Sequence, residues 1–265
     1  MPPVEAPALR WLTAARAVLD RIAATQSDNI ETASQWCAEA IAADGLVHLF
    51  GTGHSRIPVE EMFPRYGSYP GWNPIVELSM TFHSQVVGPN GQRQAMFIER
   101  TPGLAEVILS NFQFRPADVM VVFSASGLTA VPVEVARGAR QRGLRVIAVT
   151  SVAQSMSAQP DTAAGARLLD EADLVIDLCT PAADALCLLD GLETPVGPGS
   201  TIAAVAIVNS IKVRVAELLL ERRRMPPVIT RASVVGGERS RRLFDQAYRE
   251  HARRIAGAID RQGGG

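Results

Sequence analysis

The chain has 265 residues, room for one large domain or two small ones, with 47% hydrophobic and 20% charged residues, a balance that excludes intrinsic disorder. The net charge is −1, from 26 basic and 27 acidic residues, which argues against a protein that coats nucleic acid through a basic excess. Its three cysteines, Cys37, Cys179 and Cys187, have no CxxC spacing and fit neither a disulfide framework nor a zinc knuckle.

Residues 8–24 place Leu9, Leu12, Ala15, Val18, Leu19 and Ile22 on one helical stripe. Asp28 is expected to cap a second helix, which carries Ile30, Ala33, Trp36, Cys37, Ala40 and Ile41 and ends at Gly45. The apolar run 46–50 predicts a buried strand, and 119–123, 144–150 and 174–178 predict three more. Residues 131–141 form a helix closed by Gly143, 151–170 a surface loop with short helical pieces, and 181–200 an extra hairpin. The apolar stretch 201–220 is interrupted by Asn209, Lys212, Arg214 and Glu217, so it predicts a core or dimer-interface helix and no membrane span. The tail from Met225 ends in a basic amphipathic helix and three glycines.

Alternating strands and helices predict an α/β fold: a three-layer αβα sandwich on a mainly parallel, doubly wound, flavodoxin-like sheet, with N-terminal helices and a long C-terminal helix. The expected division is an N-terminal helical segment at 1–45, a central domain at 46–222 and a tail at 223–265. The opening sequence MPPVEAPALRW lacks a cationic region followed by an apolar core, so a soluble cytoplasmic protein is expected.

Ligands of a doubly wound sheet sit beyond the carboxyl ends of its strands. Two polar loops occupy that position, Gly51-Thr52-Gly53-His54-Ser55 and Ser124-Ala125-Ser126-Gly127-Leu128-Thr129, each ahead of a helix. Helix N-termini with free amides and neighbouring hydroxyls make anion sites. Arg56 stands where a dinucleotide loop needs its third glycine, and Lys212 is the only lysine, so neither a dinucleotide nor a Walker loop fits. A single phosphate monoester suits these donors. A third cluster, Gly197-Pro198-Gly199-Ser200-Thr201, opens the long helix with Ser200 or Thr201 as its expected N-cap, and both hydroxyls are candidate substrate contacts.

SASGLT after one strand, VIAVTS one helix later and GTGHS after the first strand resemble the SIS (sugar isomerase) family of phosphosugar-binding domains, over residues 30–222. The resemblance implies that Ser124, Ser126, Gly127 and Thr129, with Ser55, hold a sugar phosphate, and that Thr52, Gly53, Ser200 and Thr201 touch the substrate. It also implies a homodimer with the site near the subunit interface, and no metal or organic cofactor. Glu99 lies 19 residues before Asp118, the offset of a catalytic glutamate in the N-acetylmuramic acid 6-phosphate etherase branch, and FIERTPG and GPGST are similar to that branch. The second etherase glutamate would fall at Pro64-Arg65, leaving Glu61 one turn earlier. The phosphoheptose isomerase branch places His and Glu where this chain has Glu61 and Arg65, so that constellation and its metal site are broken. The whole chain looks closest to a bacterial GTGHS group, which implies loss of water from N-acetylglucosamine 6-phosphate.

The expected mechanism opens the sugar ring with help from His54 or His83. Glu99 or Glu61 then removes the C2 proton, and the other carboxylate assists departure of the C3 hydroxyl. Arg56 and Arg100 either pair with the substrate anion or with Glu61 and Glu99. His48, inside a strand, is expected to be structural, Trp36 and Trp72 to be packing residues, and His251 to be solvated or at an interface. The alternatives are an aldose–ketose isomerase and a non-catalytic phosphosugar sensor. Only Arg10, Arg16 and Arg21 precede the first strand, so no DNA-binding arm is expected there.

Overall fold

The computed structural model describes residues 7–81, 91–162 and 165–259. Two helices come first, α1 (Arg10–Thr25) and α2 (Ser27–Ala42), then β1 (Val47–Gly51), α3 (Ile57–Met62) and β2 (Trp72–Ile75). Next are α4 (Gly91–Ile98), α5 (Leu104–Leu109), β3 (Val119–Phe123), α6 (Ala130–Gln141), β4 (Arg145–Thr150), α7 (Val152–Met156) and β5 (Leu174–Asp177). A hairpin of β6 (Ala185–Cys187) and β7 (Val196–Pro198) precedes the long α8 (Ser200–Glu221), and α9 (Ala232–Val235) and α10 (Gly237–Ile259) close the chain.

The main sheet is parallel throughout, in the order β2-β1-β3-β4-β5. Alternate side chains of each strand point to opposite faces. Val47, Leu49, Val121, Phe123, Ile147 and Val149 meet Ala33, Cys37 and Ile41 of α2 and Ile207, Ile211 and Val215 of α8. Phe50, Met120, Val122, Val146 and Ala148 meet Ile108 and Leu109 of α5 and Val131, Val135 and Ala139 of α6. Helices cover both faces, as a three-layer αβα sandwich requires, and the strands therefore read as unbroken apolar runs. The N-terminal helices share the α8 side of this core, with Val18 and Ile22 of α1 buried in it.

Four of the five parallel strands match the sequence expectation within a residue. β2 does not appear in it. It is a four-residue edge strand containing Pro74 and flanked by turn-type residues. A proline cannot donate to a ladder, which confines such a segment to an edge.

Two helix ends differ from expectation. Asp28 is not the cap of α2: Gln26 ends α1 and caps α2 at once, with Asp28 inside the first turn. The Gln26 side chain is drawn into tertiary structure, its Oε1 accepting from Asp177 N of β5 at 3.0 Å. After α2 it is Asp44, at φ +62°, that takes the left-handed turn. Gly45 is needed for close approach instead, because a Cβ there would lie 2.7 Å from the Asp118 carboxylate.

That carboxylate belongs to a buried polar chain. Asn73 Nδ2 of β2 meets His48 Nδ1 of β1 at 2.8 Å, and His48 Nε2 meets Asp118 Oδ2, just before β3, at 3.1 Å. With the Asn73 amide donating to Nδ1, Nε2 carries the proton that goes to Asp118. Asp118 also accepts from Leu46 N at 2.8 Å and Arg115 N at 2.9 Å. Nearby, Arg254 of α10 is 4% exposed and donates to the carbonyls of Ile41 and Gly45, docking the tail helix onto the α2–β1 turn. His48 is thus structural. Trp72 is fully buried, Trp36 lies under the Arg145 guanidinium, and half-buried His251 packs edge-on against Phe63.

Burial pushes the Asp118 carboxyl up, but its bonds from His48, Arg115 and Leu46 outweigh that and hold it below the ordinary carboxylate range. A carboxyl lowered by folding stabilises the native state above its unfolded value, and that contribution is lost as pH falls through the folded value. Asp118→Asn is therefore expected to lower stability at pH 7 by about 1–3 kcal/mol. Denaturant unfolding should show the gap between the two proteins closing as pH falls below about 4. A gap that stays constant over that range would contradict the assignment.

Candidate functional site

β1 ends at Gly51, directly opposite Phe123 at the end of β3. From this pair the chain leaves toward opposite edges of the sheet, from β1 to β2 and from β3 to β4. The loops that follow must therefore diverge, and the gap between them is the switch-point crevice where ligands of open α/β sheets bind. Here it is a cleft of about 330 Å³. Thr52, Gly53, His54 and Ser55 line it from the first loop, and Ser124, Ala125, Ser126 and Thr129 from the second. Met96, Glu99, Gln154, Asp184, Pro198, Ser200 and Thr201 complete it. A hollow of about 20 Å³ at its floor is closed by Phe123, Val149, Leu178 and Ala204.

The first loop folds back over its own strand. Ser55 N donates to Thr52 O at 2.9 Å, and a Cβ on Gly51 would stand 2.3 Å from Ser55 O, so only glycine permits this turn. In the second loop Ser124 Oγ accepts from Gly127 N at 3.1 Å and Ser126 Oγ from Leu128 N at 3.4 Å. A hydroxyl has one proton and two lone pairs, so accepting from the loop leaves each proton to donate elsewhere. Thr129 is the N-cap of α6 but makes no side-chain capping bond. Two seryl hydroxyls, a threonyl hydroxyl and the N-terminus of a twelve-residue helix thus converge on one side of the cleft.

Gly127 is not in the lining. It takes φ +62° and its carbonyl accepts from Leu168 N at 2.9 Å, so it shapes the loop that carries the serines. Glu99 follows α4 and is half-buried at the cleft, where Thr52 Oγ1 donates to its Oε2 at 2.6 Å. Burial raises the Glu99 carboxyl above its ordinary range, and the Thr52 bond and the nearby Arg100 charge offset part of that rise.

Other expectations are redistributed. Glu61 does not line the cleft. It sits at the contact of α3 with α8, 2.7 Å from Arg65, with Lys212 Nζ donating to its backbone carbonyl at 2.9 Å. Arg56 lies 3.4 Å from Glu60, and Arg100 pairs with Asp161 at 2.9 Å while its charge also acts on Glu99. His83 lies outside the described residues. Exposed His54 and half-buried Ser55 do line the cleft, as do Ser200 and Thr201.

The expected cap of α8 is also different. Gly199 holds the N-cap position, and the capping group comes from the hairpin. Asp184 Oδ1 accepts from Ser200 N at 2.8 Å and Gly199 N at 3.2 Å, and its Oδ2 accepts from Ser200 Oγ at 2.8 Å. Sequence reasoning missed Asp184 because it stands 16 residues before its partner, in a turn-type segment. Gln154 was missed as well. It lies on α7, in a stretch read as a surface loop with short helical pieces, and its buried Oε1 has no hydrogen-bond partner.

Residues 10–151 match the SIS domain family. The chain belongs to that family. This SIS protein is 33% identical to a UPF0309 protein of Geobacillus kaustophilus (strain HTA426) over 88% of its own length and 90% of the relative's. It is 31% identical to a UPF0309 protein of Listeria monocytogenes serotype 4b (strain F2365), covering 88% and 92%, and 32% identical to one of Streptomyces coelicolor, covering 91% and 94%. Among solved structures, phosphoheptose isomerase of Neisseria gonorrhoeae superposes with a TM-score of 0.50 at 14% identity, over 78% of this chain and 95% of that one, a likeness of fold.

Gly51→Ala should disrupt the first loop, since backbone rather than a flexible side chain blocks the new methyl. A loss of about 1–3 kcal/mol in denaturant unfolding is expected. Unchanged stability would mean that the loop has room the geometry denies.

Proposed function

We propose that this SIS protein binds a sugar phosphate and eliminates water from an N-acetylhexosamine 6-phosphate, with N-acetylglucosamine 6-phosphate as the leading substrate. The observation that carries the reading is the placement of Glu99, a carboxyl raised by burial, in the same cleft as a cradle of hydroxyl donors at the N-terminus of α6. The cradle supplies what a phosphate monoester needs, namely outward protons from Ser124, Ser126 and Thr129 and the positive end of α6. Ser55 and the Gly53 backbone extend it.

The substrate reacts as the open-chain aldehyde, with His54 placed in the cleft to move a proton during ring opening. Glu99 takes the C2 proton, which the C1 aldehyde acidifies, and the electron pair is held as the enolate. The pair then closes a C2–C3 double bond as the C3 hydroxyl departs, and protonated Glu99 returns its proton to that oxygen. Water and an unsaturated aldehyde leave, so atoms balance with no external oxidant or reductant. Glu61, which the sequence offered as the partner carboxylate, has no part in this scheme because it does not line the cleft.

Mass spectrometry of the protein with hexose, hexosamine and N-acetylhexosamine 6-phosphates in deuterated water tests the reading. A product lighter by one water from an N-acetylhexosamine 6-phosphate is expected. Deuterium uptake without that loss would make the protein an isomerase, and thermal stabilisation with no turnover would make it a sensor. Glu99→Gln should lower kcat by about 10²–10⁴-fold.

The pH profile is a separate check. Activity needs Glu99 ionised, so kcat/KM should rise with pH along a limb above the ordinary glutamate value of about 4.3. Thr52→Val removes a bond that holds this carboxyl down, and should move the limb to higher pH. A limb that stays in place would separate Glu99 from the chemistry.

A further inference from the structure

The cleft that would hold the phosphate is lined, among the described residues, by no lysine or arginine. Apart from the His54 imidazole, its ionisable side chains are the carboxyls of Glu99 and Asp184. An anion can be held at the hydroxyl loop by neutral donors and the α6 N-terminus, but a second anionic group meets no lysine or arginine among the described lining residues. At the other helix end in the cleft, the N-terminus of α8, Asp184 places a carboxylate that accepts the Gly199 and Ser200 amides and the Ser200 hydroxyl.

Those bonds also fix what the α8 side offers a ligand. The Ser200 proton is committed to Asp184 Oδ2 and the Thr52 proton to Glu99 Oε2, so both hydroxyls present lone pairs. The Asp184 carboxylate beside Ser200 makes the α8 side accept hydrogen bonds and repel negative charge, with Thr201 as its remaining hydroxyl. A sugar hydroxyl or an amide N–H satisfies it, while a carboxylate or second phosphate does not.

We propose that Asp184 is a specificity-determining residue that restricts the site to sugar phosphates whose phosphate is their only anionic group. This rests on the phosphosugar reading above and narrows its substrate class. Carboxylate-bearing sugar phosphates, such as lactyl ethers of amino sugars or aldonic acid phosphates, are rejected at the α8 side.

The test compares two open-chain ligands that share the 6-phosphate and differ at C1: glucitol 6-phosphate, with a hydroxymethyl group, and 6-phosphogluconate, with a carboxylate. Neither has a carbonyl, so binding is read without turnover by calorimetry on the full chain. The native protein should prefer glucitol 6-phosphate by about tenfold or more. Asp184→Asn keeps an oxygen for the two amides and removes the charge, and should shrink the preference severalfold, mainly by tighter binding of 6-phosphogluconate. Salt gives a second measure that needs no variant, since the native preference should fall as ionic strength rises.

Equal affinities in the native protein, or a preference that neither Asp184→Asn nor salt reduces, would overturn the role of Asp184 and leave phosphosugar binding intact. Failure of both ligands and of every hexose 6-phosphate to bind would overturn the phosphosugar reading, and the inference with it.

Discussion

Three buried polar side chains on neighbouring strands hold the half of the sheet on which the site depends. Asn73 on β2, His48 on β1 and Asp118 at the start of β3 form one hydrogen-bonded chain across the strands. Buried polar groups cost free energy unless paired, so this chain is stable only when all three strands stand in register. The same strands carry the cleft at their other end. Asp118 also receives the Leu46 amide, while Arg254 clamps the carbonyls of Ile41 and Gly45, so one edge of the molecule is locked by polar contacts. The carboxyl edge is free to carry loops whose hydroxyls turn outward.

Among the described residues, the cleft is lined by no lysine or arginine. Its donors are hydroxyl protons, fixed in direction by the loops that hold them. Its two carboxyls stand in different surroundings. Glu99 is half-buried and bound by a single hydroxyl, which leaves it raised and suited to taking a proton. Asp184 is bound by two amides and a hydroxyl at a helix N-terminus, which suits it to holding structure and screening ligands by charge. Two carboxyls with separate environments can take separate roles in one site.

The elements that sequence reasoning located are those with an unambiguous local signal. β3 is five apolar residues buried on both faces, and Gly143 closes α6 in the left-handed turn expected of it, at φ +83°. β2 lacked such a signal because Pro74 and its turn-forming neighbours read as loop, although an edge position tolerates them. In the site, Ser124, Ser126 and Thr129 were legible because a polar loop between a buried strand and a helix has one place to go. Gly127 lies outside the lining, and its left-handed backbone shapes the turn that carries the serines.

The sequence by itself determined the αβα layering, the two loops at the strand ends and the set of hydroxyls available there, because each is written within a few consecutive residues. Tertiary structure decided which carboxyls join them. Glu61 looked equivalent to Glu99 along the chain, yet the contact of α3 with α8 gives it to Arg65, Asn209 and Lys212, away from the cleft. Asp184 looked like a turn residue, yet the β6–β7 hairpin carries it to the N-terminus of α8 and into the lining. Charges act through distances in space, and those distances are set only when elements far apart in the chain pack together.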